Sequence, residues 1–472
     1  MQPLNKTTVS KPSYPEKVVQ FGAGNFLRAF ADWAIDILNE KTDFAAGVVI
    51  VKPTPGGSYA DLDKQDGLYH VELQSSEAGK LKTETRLIRC ISRSLSPYED
   101  FAAFLELAQE PQIRFILSNT TESGISFRAE DKLEDAPPQS FPAKLTHFLF
   151  ERFRSGLRGC IILPCELIED NGSVLKTIIL KYADLWHLGD AFKHWLDLEN
   201  TFCNTLVDRI VTGFPADAET RFQEMGFADQ QLVRGEAYHS WVIEAPDFVK
   251  KEFPTSETAM NVSFTHDLKP YREIKVRILN GAHTAMVPVG YLSGRRTVDE
   301  VMRDEGLRTF IQNLLFEEVL PTLEVAREEL ESFANATLKR FENPSLKHQL
   351  SAIALNSSSK FRTRLLPSLL AYTKNQGEVP KRICFAFACL IRFYKASWQG
   401  EALPVKDDAE VLEWWQAVWS QGSPEEVVDA VLANETLWGQ DLRYVKGLKE
   451  CLVKDLERLE SEKIADTVAS LK

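Results

Sequence analysis

The sequence predicts an α/β protein with a doubly wound, mostly parallel sheet in its N-terminal domain and a mainly α-helical C-terminal domain. The chain has 472 residues, more than one ordinary hydrophobic core holds, so two domains are expected. In the first half, short apolar runs alternate with helical patterns, as in sheets covered by helices on both faces. From about residue 270 helical spacing dominates. We therefore expect domains over 1–270 and 271–472, with the junction at Pro270.

The first strand–helix–strand unit lies near the N-terminus. An apolar run at 17–21 ends on Gly22, helical spacing extends over 26–40, and a second apolar run covers 47–51. Its size matches one βαβ crossover, which takes about 30 residues or more. Two neighbouring parallel strands joined by a helix are therefore predicted here.

The later elements follow the same reasoning. In the N-terminal part we predict a more exposed strand ending at residue 73, buried strands at 114–118 and 159–163, and helices at 142–154 and 174–185. In the C-terminal part, the capping box from Thr297 to Glu300 predicts a helix that continues to about residue 315. Further helices are predicted at 382–394, 408–419 and 445–472.

Composition and charge exclude several classes of protein. The formal net charge of −13 argues against binding to nucleic acid or an anionic membrane surface, although a local basic pocket can still bind an anionic substrate. The N-terminus lacks the apolar segment of a signal peptide, and no stretch approaches the ~18 apolar residues of a membrane span. The seven cysteines have no C-x-x-C spacing. We expect a cytoplasmic protein with reduced thiols and no metal, either a monomer or a small homo-oligomer.

A glycine-containing turn separates the first strand from the first helix. Such a turn lets backbone N–H groups approach a pyrophosphate at the helix N-terminus, which predicts a Rossmann-like dinucleotide site. The residues expected to line it are Phe21, Gly22, Ala23, Gly24, Asn25, Phe26, Leu27 and Arg28. Leu27 replaces the usual third glycine, and Lys52 stands where an acidic residue would bind the ribose of NAD. Lys52 leaves NADP open, and a turn without any nucleotide is the alternative.

Three polar residues, Lys275, Asn280 and His283, lie on an otherwise apolar helical stretch. In a regular helix Asn280 is about 140° and His283 about 80° from Lys275, so all three can face one cleft over about 12 Å. A lysine whose pKa is depressed by burial can exchange a proton with a carbonyl oxygen, and an amide can hold that oxygen. The alternatives are a surface lysine, a helix defect at Asn280–Gly281 and a core histidine. Gly281 could also distort the helix and shorten the span.

The pattern K-x-x-x-x-N-G-x-H, downstream of the turn G-x-G-x-F-x-R, resembles the long-chain mannitol dehydrogenase family. The stretches at 65–69, 121–124, 204–210 and 360–362 agree with the same family. The resemblance covers nearly the whole chain. It implies a zinc-independent, NAD-dependent oxidoreductase with Lys275 as acid–base and Asn280 and His283 as orienting residues. It also implies that Asn119, Thr121 and Glu122 lie near the nicotinamide ribose.

The segment around Cys165 separates this chain from the polyol-oxidising members of the family. Those enzymes usually read S-C-D-N here, whereas Glu166 and Leu167 stand in the last two positions. This departure favours a sugar-acid substrate. The runs at 20–29, 117–122, 163–168, 278–285 and 340–344 are similar to family members that act on sugar acids. The resemblance implies the reduction of tagaturonate to altronate in hexuronate catabolism. Fructuronate reduction and polyol oxidation stay open, as does a nucleotide-binding redox sensor without catalysis.

A sugar acid requires a cation for its carboxylate. The candidates are Lys360 and Arg362, in a polar break between two apolar runs, and Arg272, one turn before Lys275. Because arginine offers a bidentate fork to carboxylates, Arg362 is preferred. Each of the three could instead be a solvated surface charge.

Overall fold

The computed structural model describes residues 1–77, 80–120, 124–343, 348–420 and 422–471. It divides into two compact units, Met1–Leu268 and Lys269–Lys472. The predicted contacts at Thr121 and Glu122 lie outside the described residues.

The strands lie mainly in the first unit. In chain order they are β1 (Gln2–Pro3), β2 (Glu16–Phe21), β3 (Gly47–Val51), β4 (Tyr69–Glu77), β5 (Lys80–Ile88), β6 (Ile91–Leu95), β7 (Phe115–Ser118), β8 (Ile161–Pro164), β9 (Thr201–Phe202), β10 (Asn204–Asp208), β11 (Val211–Gly213), β12 (Phe227–Ala228), β13 (Val233–Glu236), β14 (Ser240–Glu244), β15 (Val262–Thr265), β16 (Ser397–Trp398) and β17 (Glu401–Ala402).

In the chain, the helices of the first unit lie between its strands. They are α1 (Asn25–Lys41), α2 (Ala60–Lys64), α3 (Phe101–Ala108), α4 (Phe141–Arg154), α5 (Asn171–Leu185), α6 (Asp190–Glu199), α7 (Ala218–Met225) and α8 (Asp247–Glu252), with a 3₁₀ turn at Thr255–Glu257.

The central sheet of the first unit is parallel and doubly wound. Its six strands stand in the order β6-β3-β2-β7-β8-β9, and every neighbouring pair is parallel. The chain first adds strands on one side of β2 and then crosses to β7 on its other side. This is the strand order of dinucleotide-binding sheets, in which ligands bind where the order reverses. The predicted fold class is confirmed.

Alternating side chains of the strands build two cores, one on each face of this sheet. Val18, Val48 and Ile50 belong to the core on the face of the sheet that α1 covers. Val19 and Val49, one residue further along, join the core formed with α3, α4 and α5. Because both faces are covered, most positions of β2, β3, β7 and β8 are apolar, and this made these strands recognisable in the sequence.

Smaller sheets complete the first unit. One has the order β11-β13-β4-β5, another the order β10-β14-β15, and β1 pairs with β12. The long β4–β5 hairpin is antiparallel, with Tyr69 opposite Ile88. Together with α1, strand β11 brings the segment after residue 208 close to the glycine turn, since a Cβ at Gly213 would meet the Asn25 side chain at 2.6 Å.

A buried carboxyl group, Asp32, lies in α1 beneath the sheet. Its Oδ2 atom accepts hydrogen bonds from the Tyr69 hydroxyl at 2.8 Å and from Gln20 Nε2 at 3.4 Å. Among the described residues, Asp32 Oδ1 and Gln20 Oε1 have no hydrogen-bond partner. Burial raises the pKa of Asp32 from 3.8 to about 7, despite these two donors.

We expect Asp32→Asn to stabilise the protein increasingly as the pH rises. Between pH 3.8 and about 7 the folded carboxyl keeps its proton while the unfolded one loses it, so its contribution to stability falls across this interval. Asparagine does not titrate, and its amide can donate to Gln20 Oε1. The apparent melting temperature should rise by about 5 °C at pH 8 and less at pH 5. Asp43→Asn, at an exposed position, is the control. An equal effect of Asp32→Asn at both pH values would contradict the raised pKa.

The second unit consists mainly of helices. They are α9 (Lys269–Ile274), α10 (Gly281–Leu292), α11 (Val298–Arg303), α12 (Glu305–Asn313), α13 (Arg327–Phe341), α14 (Leu350–Ile353), α15 (Ser357–Arg364), α16 (Leu366–Gln376), α17 (Lys381–Phe393), α18 (Ala409–Trp419), α19 (Pro424–Leu432), α20 (Glu435–Trp438), α21 (Leu448–Ser461) and α22 (Ile464–Ser470). Two short segments, Lys275–Asn280 and Leu314–Val319, are π-helical. Leu320–Thr322 and Leu442–Tyr444 are 3₁₀ turns.

Two predicted helices are wrong in their extent. The helix predicted from Thr297 to residue 315 begins with the expected capping box but breaks at Asp304, whose carboxylate caps the next helix by accepting from the N–H groups of Gly306 and Leu307. The helix predicted over 445–472 begins at Leu448 and is interrupted between Ser461 and Ile464. The first error comes from a side chain that competes locally with the helix backbone.

Helix α17 is buried from Arg382 to Phe393 and belongs to the second core together with α10. Its N-terminus is capped from a distance, since the carboxylate of Glu318 accepts from the N–H groups of Arg382 at 2.9 Å and Ile383 at 2.8 Å. The N-terminal N–H groups of a helix need such acceptors when they are buried.

Candidate active site

The glycine turn lies at the carboxyl ends of β2 and β7, where the strand order reverses. Gly22 has a φ of +106° and its N–H donates to the Val51 carbonyl at 2.9 Å. A Cβ at Gly22 would lie 3.7 Å from the Asn119 carbonyl oxygen, whereas at Gly24 it would meet none of the described atoms within 4 Å. Helix α1 begins directly after Gly24, so its first N–H groups open toward this space and suit an anionic pyrophosphate.

The guanidinium group of Arg28 forms hydrogen bonds with residues of the turn. Its Nε atom donates to the Ala23 carbonyl at 3.1 Å and its Nη2 atom to Asn25 Oδ1 at 2.7 Å, while Nη1 donates to the Gln231 carbonyl. The guanidinium group also lies 5.3 Å from the centre of the Tyr69 ring. With most of its donors used and only 7% of its surface exposed, Arg28 acts on the turn through these contacts.

A buried carboxylate holds the loop that follows β7. Glu166 accepts hydrogen bonds from the Ser118 hydroxyl at 3.0 Å and from the N–H and hydroxyl of Thr120, both at 2.9 Å. The Asn119 amide donates to the Cys165 carbonyl at 2.8 Å. Burial raises the pKa of Glu166. The segment that departs from the polyol pattern therefore fixes the loop containing Asn119.

Lys52 follows β3 directly, as the sequence indicates. Its N–H donates to the Leu95 carbonyl at 2.9 Å, and the residue is 8% exposed. It thus lies at the carboxyl ends of neighbouring strands β3 and β6. The glycine turn lies at the same edge of the sheet.

In the second unit, Lys275 and Asn280 are the first and last residues of a π-helical turn. The N–H of Gly281 donates to the carbonyl of Val276, five residues earlier. Because i→i+5 bonds stack residues five apart, Lys275 and Asn280 lie on the same side of the helix instead of about 140° apart as on a regular helix. The structure thus brings these two predicted residues together, and the distortion begins before Gly281.

Gly281 has a role in packing at this point. A Cβ there would lie 3.3 Å from Leu365 Cδ2 and 3.6 Å from the Arg364 carbonyl oxygen. The missing side chain lets the end of α15 lie directly against the start of α10. As a result, Arg364 Nη1 lies 3.4 Å from the Thr284 hydroxyl, which itself donates to the Asn280 carbonyl at 2.8 Å.

His283 lies in the first turn of α10, 7% exposed. Its ring centre is 4.4 Å from that of Phe341 and 5.2 Å from that of His348. Burial, the neighbouring His348 and the positive charges of Arg340 and Arg364 hold the pKa of His283 well below its usual range. The imidazole is therefore neutral at physiological pH.

Three cations lie close enough to His283 for their charge to act on its imidazole. Arg340, Arg364 and Lys360 all lower its pKa through their charge. Lys360 and Arg364 are four residues apart in α15 and so lie on one face of that helix. Lys360 Nζ donates to the Ile353 carbonyl at 2.8 Å. This concentration of positive charge can attract an anionic group of a substrate.

The preferred carboxylate ligand of the sequence analysis, Arg362, lies elsewhere. It stands about 160° from Arg364 on α15, is exposed, and its Nη1 donates to the Thr436 carbonyl at 3.3 Å. Arg362 lines a surface groove together with Glu410 and Trp414. Arg272 is half-buried in α9, on the turn before Lys275.

Sequence reasoning missed three residues around His283. Arg340 and Arg364 stand near the ends of α13 and α15, where they look like ordinary charges near a helix C-terminus. His348 follows α13 in a segment without periodic pattern. The one available signal was the spacing of Arg364 four residues after Lys360.

All seven cysteines are free. In the part of the chain that the structure describes, no three His, Cys, Asp or Glu side chains come together as a metal site would need. None of the helices over the described ranges has the length and apolar character of a membrane span.

Comparison with known proteins relates both units to one family. The model for the mannitol dehydrogenase Rossmann domain matches residues 16–257, and that for the mannitol dehydrogenase C-terminal domain matches 267–460. Altronate oxidoreductases from Klebsiella pneumoniae (strain 342) and Escherichia coli O7:K1 are each 46% identical over 482 aligned residues, with 100% of both chains covered.

Solved structures show the same fold. A ternary complex of Pseudomonas fluorescens mannitol 2-dehydrogenase with NAD and D-mannitol has a TM-score of 0.75 at 23% identity, covering 100% of this chain and 99% of that one. A substrate-free D-sorbitol dehydrogenase has a TM-score of 0.82 at 22% identity, covering 99% and 100%.

Proposed function

Because this chain belongs to the mannitol dehydrogenase family, we propose that it catalyses the NAD-dependent interconversion of altronate and tagaturonate. The main support for this choice of substrate is the 46% identity to altronate oxidoreductases along the whole chain. The cations around His283 support it independently, since a sugar acid carries a carboxylate and a polyol does not.

The glycine turn fits NAD. Its backbone approaches the end of β7 at Gly22, and the space in front of Gly24 would accept a pyrophosphate at the start of α1. Residues 21–27 would contact the cofactor, with Arg28 and Glu166 holding the turn and the Asn119 loop. Bound NADH supplies the hydride that reduces the ketone.

Lys275 would handle the proton. In the direction of reduction its ammonium group donates a proton to the carbonyl oxygen as negative charge develops there, and in the direction of oxidation the neutral amine takes it back. Asn280, on the same side of the π-helical turn, would donate its amide N–H to the same oxygen. His283, held neutral, would bind a neighbouring hydroxyl of the substrate.

The substrate carboxylate would lie toward Arg364, Arg340 and Lys360. Arginine offers two parallel N–H donors that match a carboxylate. Arg364 is connected through Thr284 to the Asn280 carbonyl, so it lies within one helical turn of the residue proposed to hold the reacting oxygen. Both ends of the substrate would thus be fixed relative to helix α10.

The decisive experiment is a substrate panel followed at 340 nm. We expect the purified protein to oxidise NADH with tagaturonate as the best substrate, fructuronate as a poorer one and fructose as a very poor one. NADPH is tested in parallel because of Lys52, and NADH is expected to be preferred. Equal turnover of fructose and tagaturonate would refute the sugar-acid assignment. Absence of turnover with every substrate would refute the enzymatic function.

A further inference from the structure

Two imidazole rings meet beside the proposed substrate site. The ring centres of His283 and His348 are 5.2 Å apart, and their planes are nearly perpendicular at 82°. The backbone of His348 is fixed, since its carbonyl accepts from the N–H of Val298 at 3.0 Å. Its neighbour Gln349 forms a bridge with Thr297. The second ring is therefore held in a defined position relative to the first.

Each ring has one buried nitrogen without a hydrogen-bond partner among the described residues. Within the described ranges, neither Nε2 of His283 nor Nδ1 of His348 has a hydrogen-bond partner, although both atoms are buried. Such atoms are uncommon because a buried polar group without a partner is costly. At a binding site the cost is removed when a ligand supplies the missing partner.

The state of the two rings restricts what that ligand can be. Burial lowers the pKa of both histidines, so both are neutral near pH 7. A neutral imidazole offers one donor and one acceptor, which suits a hydroxyl group that can do the reverse. The cations Arg340, Arg364 and Lys360 around His283 are the better partners for a carboxylate.

We propose that His348 is a second substrate-orienting residue, whose Nδ1 atom binds a hydroxyl of the sugar acid next to the hydroxyl bound by His283. The proposal rests on the proposed function, because it needs a polyhydroxylated acid as substrate. Two imidazoles in fixed positions can bind two neighbouring hydroxyls only when both have the matching configuration. The pair therefore discriminates tagaturonate from its diastereomer fructuronate.

The test is a set of substitutions at His348. His348→Leu removes the hydrogen bond, whereas His348→Asn keeps a polar atom near the position of Nδ1. We expect His348→Leu to lower kcat/KM for tagaturonate by about tenfold, as the loss of one neutral hydrogen bond predicts. The KM for NADH should stay unchanged. His348→Asn should recover most of the loss, which a merely structural role would not require.

The ratio of kcat/KM for tagaturonate over fructuronate is the second measurement. We expect this ratio to fall in His348→Leu and to be unchanged in the control His194→Leu, which alters an exposed histidine of α6. Should His348→Leu not fold, as judged by its melting temperature, His348→Gln serves instead, because its amide reaches toward the position of Nε2 and not Nδ1.

The outcomes separate the two proposals. An unchanged ratio in a folded variant, or an equal loss in the Asn and Leu variants, would overturn the role of His348 while leaving the function intact. If the wild-type protein turns over none of the sugar acids, the proposed function itself fails.

Discussion

Lys275→Met is expected to lower kcat for tagaturonate reduction by about 10²–10⁴-fold, the range attributed to a positioned acid or base. Methionine has nearly the length of lysine but cannot exchange a proton. The KM for NADH should change little, because the proposed role of Lys275 is to exchange a proton with the carbonyl oxygen of the substrate. Steady-state rates in both directions, with tagaturonate and with altronate, provide the measurement.

Lys269→Met is the matched control for this prediction. Lys269 is the first residue of α9, six positions before Lys275, and is exposed. Its replacement removes the same charge from the same continuous helical stretch and should leave kcat within twofold or so of the wild type. A kcat of Lys275→Met close to that of the wild type would refute the acid–base role, provided that the protein contains no residual wild-type enzyme.

Arg364→Ala is expected to raise the KM for tagaturonate by about tenfold to a hundredfold, as expected when a charged hydrogen-bonding partner is lost. The reason is its position, since Arg364 lies beside Thr284 and acts on His283 together with Arg340 and Lys360. The remaining two cations would keep part of the attraction. The KM for NADH should not follow the same change, and initial rates with each substrate varied separately will show this.

Arg362→Ala is the control from the same helix. Arg362 points to the opposite side of α15 and donates to Thr436, so its removal should leave the KM for tagaturonate within about twofold. The sequence alone favoured Arg362, and this pair of variants decides between the two arginines. A large rise in KM for Arg362→Ala with no effect of Arg364→Ala would restore the sequence-based assignment. Arg364→Lys, which keeps the charge without the fork, should recover part of the affinity.

Four strands of the central sheet, β2, β3, β7 and β8, could be predicted from the sequence because they are largely buried on both faces. The run at 47–51 was predicted with its observed ends, since Gly47 precedes a series of β-branched residues that ends at Val51, shortly before Pro53. The smaller sheets from β10 to β15 could not be recognised in this way. Their strands are short and carry mixed polarity, and their pairing joins segments far apart in the chain, as for β4 with β13.

The candidate site was predictable only where it is local in sequence. Lys275, Asn280 and His283 lie within nine consecutive positions, so a pattern could reveal them. Arg364 reaches the same region only because Gly281 allows α15 to pack against α10. That contact depends on the tertiary structure, and no periodicity of α15 indicates which of its charged faces is turned inward.

The π-helical turn limits how the three polar residues can be transferred to another protein. A designer who copies Lys275, Asn280 and His283 with their spacing onto a regular helix would place the amide about 140° away from the amine. The unit to transfer is therefore the backbone segment with its wide i→i+5 turn. The three residue types at their spacing are insufficient without that backbone. In this helix the hydrogen-bond register is itself a part of the candidate site.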